Sequence, residues 1–540
     1  MHLSSDSTPS AARVQQPVWS PLRQPVFRLL WGTWLTANIC MWMNDVAAAW
    51  LMTSLSSTPV MVALVQAAST LPVFLLGVPS GALADIVDRR RYFIVTQFWV
   101  AAVAVALCLT TFLGVQSAPL LLVLTFANGI GLAMRWPVFA ALVPTLVPRP
   151  ELPGALALNA VAMNLSRIIG PIVAGAVIAA GGSGHVFLLN AVLSICVGLL
   201  LLTWRYEQKI SVLPSERFFG AIWVGLQYVR QSPEIHAVLW RVFTFFTLSI
   251  ALLALLPLIA KGFPGGDAGT FTLLLAAMGG GAVVAAFMLP RLRQIMTRDT
   301  LVAYGTLLHA ATTLIVALAP HPWLATLALP VAGMAWISVA NSLTVSVQAA
   351  LPDWVRARGM SIHQMTMMGG SALGAALWGQ VATFADVRQA LVLAAAAAVV
   401  GLLATRRFKL GGLTGEDKTP VRLWQAPEVA IPIEPEQGPV LITVEYRIDP
   451  ARAVEFAELM RETRRARLRN GALSWELFHD TSEPGVYIEH FTDSSWVEYM
   501  RRNQRATAAD IALRERRHAL HLGEEPPRIR RYIAEPMARG

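Results

Sequence analysis

An acid buried deep in an apolar run is the first place where this sequence could do chemistry. Asp45 stands in MWMNDVAAAW, far inside the first long apolar stretch. A carboxylate at such depth costs at least about 2.5 kcal/mol on insertion scales, and acids that stay there mark ion or substrate paths by default. If water reaches it from one side and then from the other, the carboxyl can load a proton and later release it. Helical spacing puts Asn38, Trp42, Asp45, Ala49 and Met52 on one face, expected to line a central cavity. The competing reading is an acid paired with a neighbouring base, or one snorkelling near the outer surface. Two bases also lie inside apolar runs: Arg167 in NLSRIIGPIVAG and Arg135 in GLAMRWPVF. Both are costly in lipid and are expected to face protein or water. A fixed positive charge on the cavity wall would attract an anion, such as a catecholate or carboxylate siderophore, or hold Asp45 ionised until substrate arrives. Its alternative use is a buried ion pair that fixes helix packing.

His309, His363 and Gln364 lie in or beside later apolar runs. Histidine titrates near neutrality and could relay protons, although a lone bundle histidine more often packs and hydrogen-bonds. Trp42, Met365, Met367 and Met368 could form an adaptable apolar wall for a bulky substrate, or serve ordinary packing. No GxxxxGK[ST] loop occurs, which disfavours an ATP-driven machine and leaves an ion gradient, by default protons, as the energy source. The cysteines Cys40, Cys108 and Cys196 sit in apolar runs without metal or disulfide spacing, so neither metal nor cofactor is expected.

The elements that must hold these groups are membrane-length helices. Among 540 residues 55% are hydrophobic, and mean hydropathy is +0.53. Twelve spans of about twenty apolar residues are expected between residues 28 and 405. The net charge of +10 would suggest nucleic acid in a soluble chain. Here the bases sit in alternate short loops: Arg89–Arg91, Arg149, Arg205, Arg230, Arg291, Arg293, Arg298, Arg356 and Arg358. The opposite loops hold only Lys261 and Arg388. That bias predicts both termini on the cytoplasmic side and no nucleic-acid partner. Residues 1–25 carry four prolines and no short apolar segment, and read as a disordered cytoplasmic tail without a cleavable signal.

The loop between spans 2 and 3, GVPSGALADIVDRRR, carries Gly81, Asp85, Arg89 and Arg90. This spacing resembles the G-x-x-x-D-R-x-G-R-R hinge of the major facilitator superfamily, with Ile86 where the first base is usual and Asp88 where the second glycine is usual. The resemblance implies a conformational latch that joins the halves on the inner side. Gly170, Pro171 and Gly175 resemble the Gly-Pro motif of antiporters, which implies a bend on which the halves rock. Internal repetition agrees with two six-helix halves: Gly154, Met163 and Ser166 recur as Gly359, Met368 and Ser371 at a constant offset. In that superfamily the substrate site lies between the halves near midplane.

Beyond Lys409 the composition turns polar. The order strand, helix, strand, strand, helical stretch 494–519, strand over residues 439–535 is ferredoxin-like and resembles small monooxygenase domains. Trp475, His479, His490 and Trp496 could mark a pocket there, though no triad or metal spacing is visible. The whole chain resembles the transmembrane secretion effector branch, with its enterobactin and macrolide exporters. An acid in helix 1 behind a small or polar residue is similar in that branch to Asn44–Asp45.

The expected architecture is an all-α polytopic membrane protein with an α+β tail. Its parts are tail 1–25, first half 26–205, connecting loop 206–235, second half 236–409, linker 410–438 and ferredoxin-like domain 439–535. The expected activity is not enzymatic. It is export of a small organic molecule by proton antiport, with Asp45, Arg167, Arg135 and Asn38 in coupling. The partners are substrate, protons and the lipid bilayer, with self-association through the tail domain. An importer, or a tethered enzyme or sensor acting through that domain, are the rivals.

Overall fold

In the computed structural model, residues 19–204, 218–352, 354–410 and 429–535 are described. Most of the expected tail 1–25, the first part of the loop 206–235 and most of the linker 410–438 lie outside them. Gly81 and Asp85 belong to a helix but fall outside the residues whose side chains are described.

Twelve long helices make up the apolar part. In the first half they are α1 (Pro25–Leu55), α2 (Pro59–Ile86), α3 (Arg89–Phe112), α4 (Ala118–Leu146), α5 (Leu152–Gly181) and α6 (Ser183–Leu202). A short amphipathic helix, α7 (Phe218–Arg230), follows. The second half holds α8 (Pro233–Gly262), α9 (Ala268–Ile295), α10 (Arg298–Leu318), α11 (Pro322–Ala350), α12 (Arg356–Phe384) and α13 (Val387–Thr405). Among the described residues ten are long and apolar enough to cross a membrane by length and composition alone. The other two, α1 and α12, are as long, at 31 and 29 residues, but carry the polar groups Asn38, Asn44, Asp45, His363 and Gln364. A helix satisfies its own backbone, so such segments tolerate lipid when their polar side chains turn inward.

The residue types explain the ends. Pro25, Pro59, Pro233 and Pro322 open helices at the first position, where the missing N–H is no loss. Asp88, the departure from the hinge pattern, caps α3 by accepting from the Arg91 backbone N–H at 2.8 Å. Asp267 and Thr270 form a capping box at the start of α9. Glycines set the closest helix contacts: a Cβ at Gly281 would run into the Pro330 carbonyl, and one at Gly333 into the Met278 carbonyl, so α9 and α11 pack backbone to backbone.

The arginine-bearing loops gather at one end of the bundle, here the basic end. The turns at Ser56–Thr58, Gly182 and Gly265–Asp267 lie at the far end. At the far end one apolar core joins both halves: Met43, Val46 and Val65 pack with Leu252, Leu256, Phe271 and Leu275. Toward the basic end each half keeps its own core, one around Trp34, Phe139 and Leu158, the other around Tyr228, Val242 and Leu343. The bundle is therefore sealed at the far end. Cross-half bonds there agree: Lys261 Nζ donates to the Thr53 carbonyl at 2.6 Å, Trp50 stacks on Phe271 at 6.1 Å, and the Val60 N–H reaches Thr383 Oγ1 at 3.2 Å.

The tail folds as β1 (Val440–Arg447), α14 (Ala453–Arg469), β2 (Ser474–His479), β3 (Val486–Asp493), α15 (Trp496–Gln504), α16 (Ala508–His518) and β4 (Arg528–Ile533). Its antiparallel sheet has the order β2-β3-β1-β4, the ferredoxin-like arrangement. The expected helical stretch 494–519 is broken into α15 and α16, because Thr507 and Asp510 start a fresh helix with their own capping box. The expected polar loop 206–235 contains α7 in its second part, a correction that follows from the apolar spacing of FFGAIWVGLQYVR.

Candidate functional site

A cleft opens between the halves just below the sealed far end. From α1 come Trp42, Asp45, Val46 and Ala49, and from α2 come Val62, Val65, Gln66 and Ser69. The facing wall is Leu253, Ala254 and Pro257 of α8 with Phe271 and Leu275 of α9. One wall thus carries a carboxylate, an amide and a hydroxyl, and the other is wholly apolar. Asp45 lies ten residues from the end of α1, about 15 Å below it at helical rise. Among the described residues no hydrogen bond or ion pair reaches its carboxylate. Gln66 and Ser69 had no signal in the sequence beyond being polar in a span, since only packing shows which helix faces Asp45.

Arg167 lies against Trp42 of this wall without lining the cleft. Its guanidinium lies 5.5 Å from the Trp42 ring. Cation–π contact of this kind replaces part of the lost hydration. The Arg167 carbonyl passes close to Gly279 of α9, so α5 meets the second half at this level.

Arg135 and Asn38 are elsewhere. Arg135 is 3% exposed, lies 5.4 Å from the Trp34 ring, and donates to Gln97 Oε1 at 3.2 Å. Gln97 in turn donates to the Ser194 carbonyl, Ser194 Oγ donates to Asn190 Oδ1, and Asn190 donates to Asn44 Oδ1. This polar chain ties α1, α3, α4 and α6 together inside the first half. Asn38 is buried and gives its amide to the Trp34 carbonyl one turn back at 2.7 Å. The expected face is therefore split: Trp42, Asp45 and Ala49 line the cleft, while Asn38 and Met52 are packed inside.

α5 runs unbroken through Gly170 and Pro171. A Cβ at Gly170 would strike Trp42 of α1, and one at Gly175 would strike Thr272 of α9. The two glycines thus serve one contact within the first half and one across the halves. At the basic end, Arg90 donates to the Trp204 carbonyl, and to the Leu202 carbonyl at 2.8 Å. It caps the C-terminal end of α6 and stays within its own half in this arrangement. His309 is buried against Phe245 and Trp336, and His363 meets Thr344 Oγ1 at 3.1 Å; neither lines the Asp45 cleft.

In the tail, Trp475 and His490 occupy opposite faces, since Trp475 pairs with Phe491 and Glu476 with His490 in the register. The four aromatic and histidine residues of the tail therefore form no common pocket. What the inner face holds is an ion pair: the buried Glu489 accepts from Arg467 at 2.9 Å, Tyr446 at 2.9 Å and Trp475 at 3.0 Å.

Two polytopic halves with a cleft between them fit a carrier. The family described as transmembrane secretion effector matches residues 16–539. The chain belongs to that family, a branch of the major facilitator superfamily. This secretion effector is similar to the staphyloferrin A transporter of Staphylococcus aureus, 24% identical over 46% of this chain and 63% of that protein. It is also similar to the enterobactin exporter EntS of Salmonella typhimurium, 24% identical over 60% of this chain and 78% of that protein. Macrolide efflux protein A of Streptococcus pyogenes is 21% identical over 49% of this chain and 65% of that protein. Among solved structures, a bacterial homologue of the human lysosomal transporter Spinster superposes with a TM-score of 0.58 at 15% identity, covering 72% of this chain and 96% of that chain. The nucleoside transporter NupG gives 0.58 at 11% identity, covering 71% and 99%. At such identities the superpositions establish the fold alone. The secretion effector is a membrane transporter and not an enzyme.

Proposed function

We propose that this secretion effector exports a small organic molecule, a siderophore, antibiotic or drug-like compound, across the cytoplasmic membrane by proton antiport. The observation that carries the reading is Asp45: an acid without a partner among the described residues, in a cleft whose walls belong to different halves. Closing the far end and parting the basic end gives the carboxyl access to one side, and the reverse rocking gives access to the other. The arginine bias of the loops supports a cytoplasmic basic end, with both termini on that side. The names of the siderophore and macrolide relatives support the substrate range and the outward direction.

In this reading α5 pivots at Gly170, Pro171 and Gly175. Gly81, Asp85, Arg89 and Arg90 form an inner latch when the basic end closes, which requires Arg90 to leave the α6 carbonyls. The uncovered sheet face of the tail exposes Phe478 and Tyr532, which supports self-association there; unchanged mass of the purified protein on Phe478→Glu would remove that proposal.

The test uses inside-out membrane vesicles with an acid-interior gradient and two labelled probes, a macrolide and a catecholate siderophore. Uptake of either that needs the protein and collapses with the gradient is expected. Protein-dependent uptake that ignores the gradient would sink proton antiport, and no protein-dependent uptake of either probe would sink the export reading. A chain cut after Lys409 that keeps full efflux would exclude the tail as the working part.

A further inference from the structure

The two walls of the cleft differ in chemistry, and the difference selects a ligand. Asp45 is the one charged residue among those lining it, with the Gln66 amide and Ser69 hydroxyl on the same side. Across from them stand Leu253, Ala254, Pro257, Phe271 and Leu275. Trp42 and Phe271 add aromatic surface on opposite sides. We propose that the molecule carried by this cleft is an amphipathic cation, its positive pole on the Asp45 carboxylate and its apolar body against α8 and α9. The proposal rests on the transport reading above and narrows its substrate class.

Three arguments support it. A desolvated carboxylate is stabilised by an opposite charge and destabilised by a like one, so an anion entering here meets repulsion. Aromatic faces favour cations over anions of the same size. The base expected to recruit an anion, Arg167, lies against the Trp42 ring and is not among the residues lining the cleft.

The surrounding charges are few. From α5 the nearest is Arg167, and from α4 it is Arg135, engaged with Gln97 and Trp34. From α6, His185 lies at the far end against Gly181 and Phe112. From α8, Lys261 lies at the far end on the Thr53 carbonyl, and Arg241 lies at the basic end paired with Asp299 at 2.6 Å. None of these sits in the cleft. A cation and a proton would therefore compete for one carboxylate, which makes exchange of one for the other the coupling step.

Tetraphenylphosphonium and tetraphenylborate test this directly, because they share size and shape, differ in sign, and do not titrate. Equilibrium binding of each to the purified full chain in detergent is measured against pH. Tetraphenylphosphonium is expected to bind, to be released by acid, and to bind about thirtyfold or more weakly to Asp45→Asn. Asp45→Glu should retain most of the affinity. The acid release on the unmodified chain decides the matter even if Asp45→Asn folds poorly. Tighter binding of tetraphenylborate, cation binding indifferent to acid and to Asp45→Asn, or binding of neither probe would overturn the proposal. Binding needs no gradient or flux, so its failure is separate from a failure of the transport reading.

Discussion

At the scale of single residues, depth and partnership decide roles. Asp45, Arg135 and Arg167 are all ionisable groups inside spans, yet their surroundings differ. Arg135 has Gln97 and a stacked Trp34, and Arg167 has Trp42, whereas Asp45 has only the cleft. Asp45→Asn should therefore abolish pH-driven transport while the protein still inserts in the membrane; gradient-driven flux at the unmodified level in that variant would remove Asp45 from the mechanism. The depth of Asp45 was readable from the sequence because it depends only on counting along an apolar run. The fate of Asn38 was not. Periodicity assigns a face, but it does not say that the Asn38 amide will find the Trp34 carbonyl of its own helix and turn away from the cleft. Asp88 was equally opaque: beside three arginines it looks like a loop charge, and only the geometry of α3 makes it a cap.

At the scale of elements, glycines set how closely the halves approach. Gly175 lets α5 meet Thr272 at the sealed end. Gly175→Leu should hold that seam open, so a cysteine at Ala49 would become reachable by a membrane-impermeant maleimide from the far side, and transport should fall. Labelling at the level of the parent chain would show that the seam accommodates the side chain. In the tail, burial alone would raise the Glu489 carboxyl, but the Arg467 guanidinium, its hydrogen bond and the Arg517 charge hold it down to about 2 from an ordinary 4.5. A carboxyl depressed by folding stabilises the fold above its unfolded value, and that contribution drains away as the pH falls from about 4.5 toward 2. Cleavage of β1 and β3 by an acid-active protease should rise across that window. Glu489→Gln, which leaves Arg467 uncompensated, should destabilise the domain by about 3–5 kcal/mol already at neutral pH and flatten the acid dependence. The strands were legible from alternation and the two-helix break was not, because Thr507 and Asp510 act as a start signal only once the chain before them has turned.

At the scale of the whole molecule, the tail is attached to one half. Gln227 of α7 donates to the Ala472 carbonyl at 2.7 Å. Arg505 lies 4.7 Å from the Trp354 ring, just before α12, and Arg469 lies 5.9 Å from Tyr228. Tyr228 and Trp354 meet edge to face at 5.5 Å, joining α7 to the entry of α12. A short reductant-cleavable thiol crosslinker between cysteines at positions 227 and 472 should therefore form in membranes and leave transport intact. Loss of transport that returns on reduction would mean that the domain must undock during the cycle. Twelve helices and a tail domain were readable from hydropathy and charge. This attachment was not, because α7 looks like a short apolar fragment until its partners are in place.

That one-sided attachment has a practical corollary. The sheet rides on the second half like a pointer on a dial, whereas Trp19 and the start of α1 belong to the first. Fluorophores placed near Trp19 and Ile533 would sweep past each other at each turnover, so rocking could be timed in single molecules without touching the cleft.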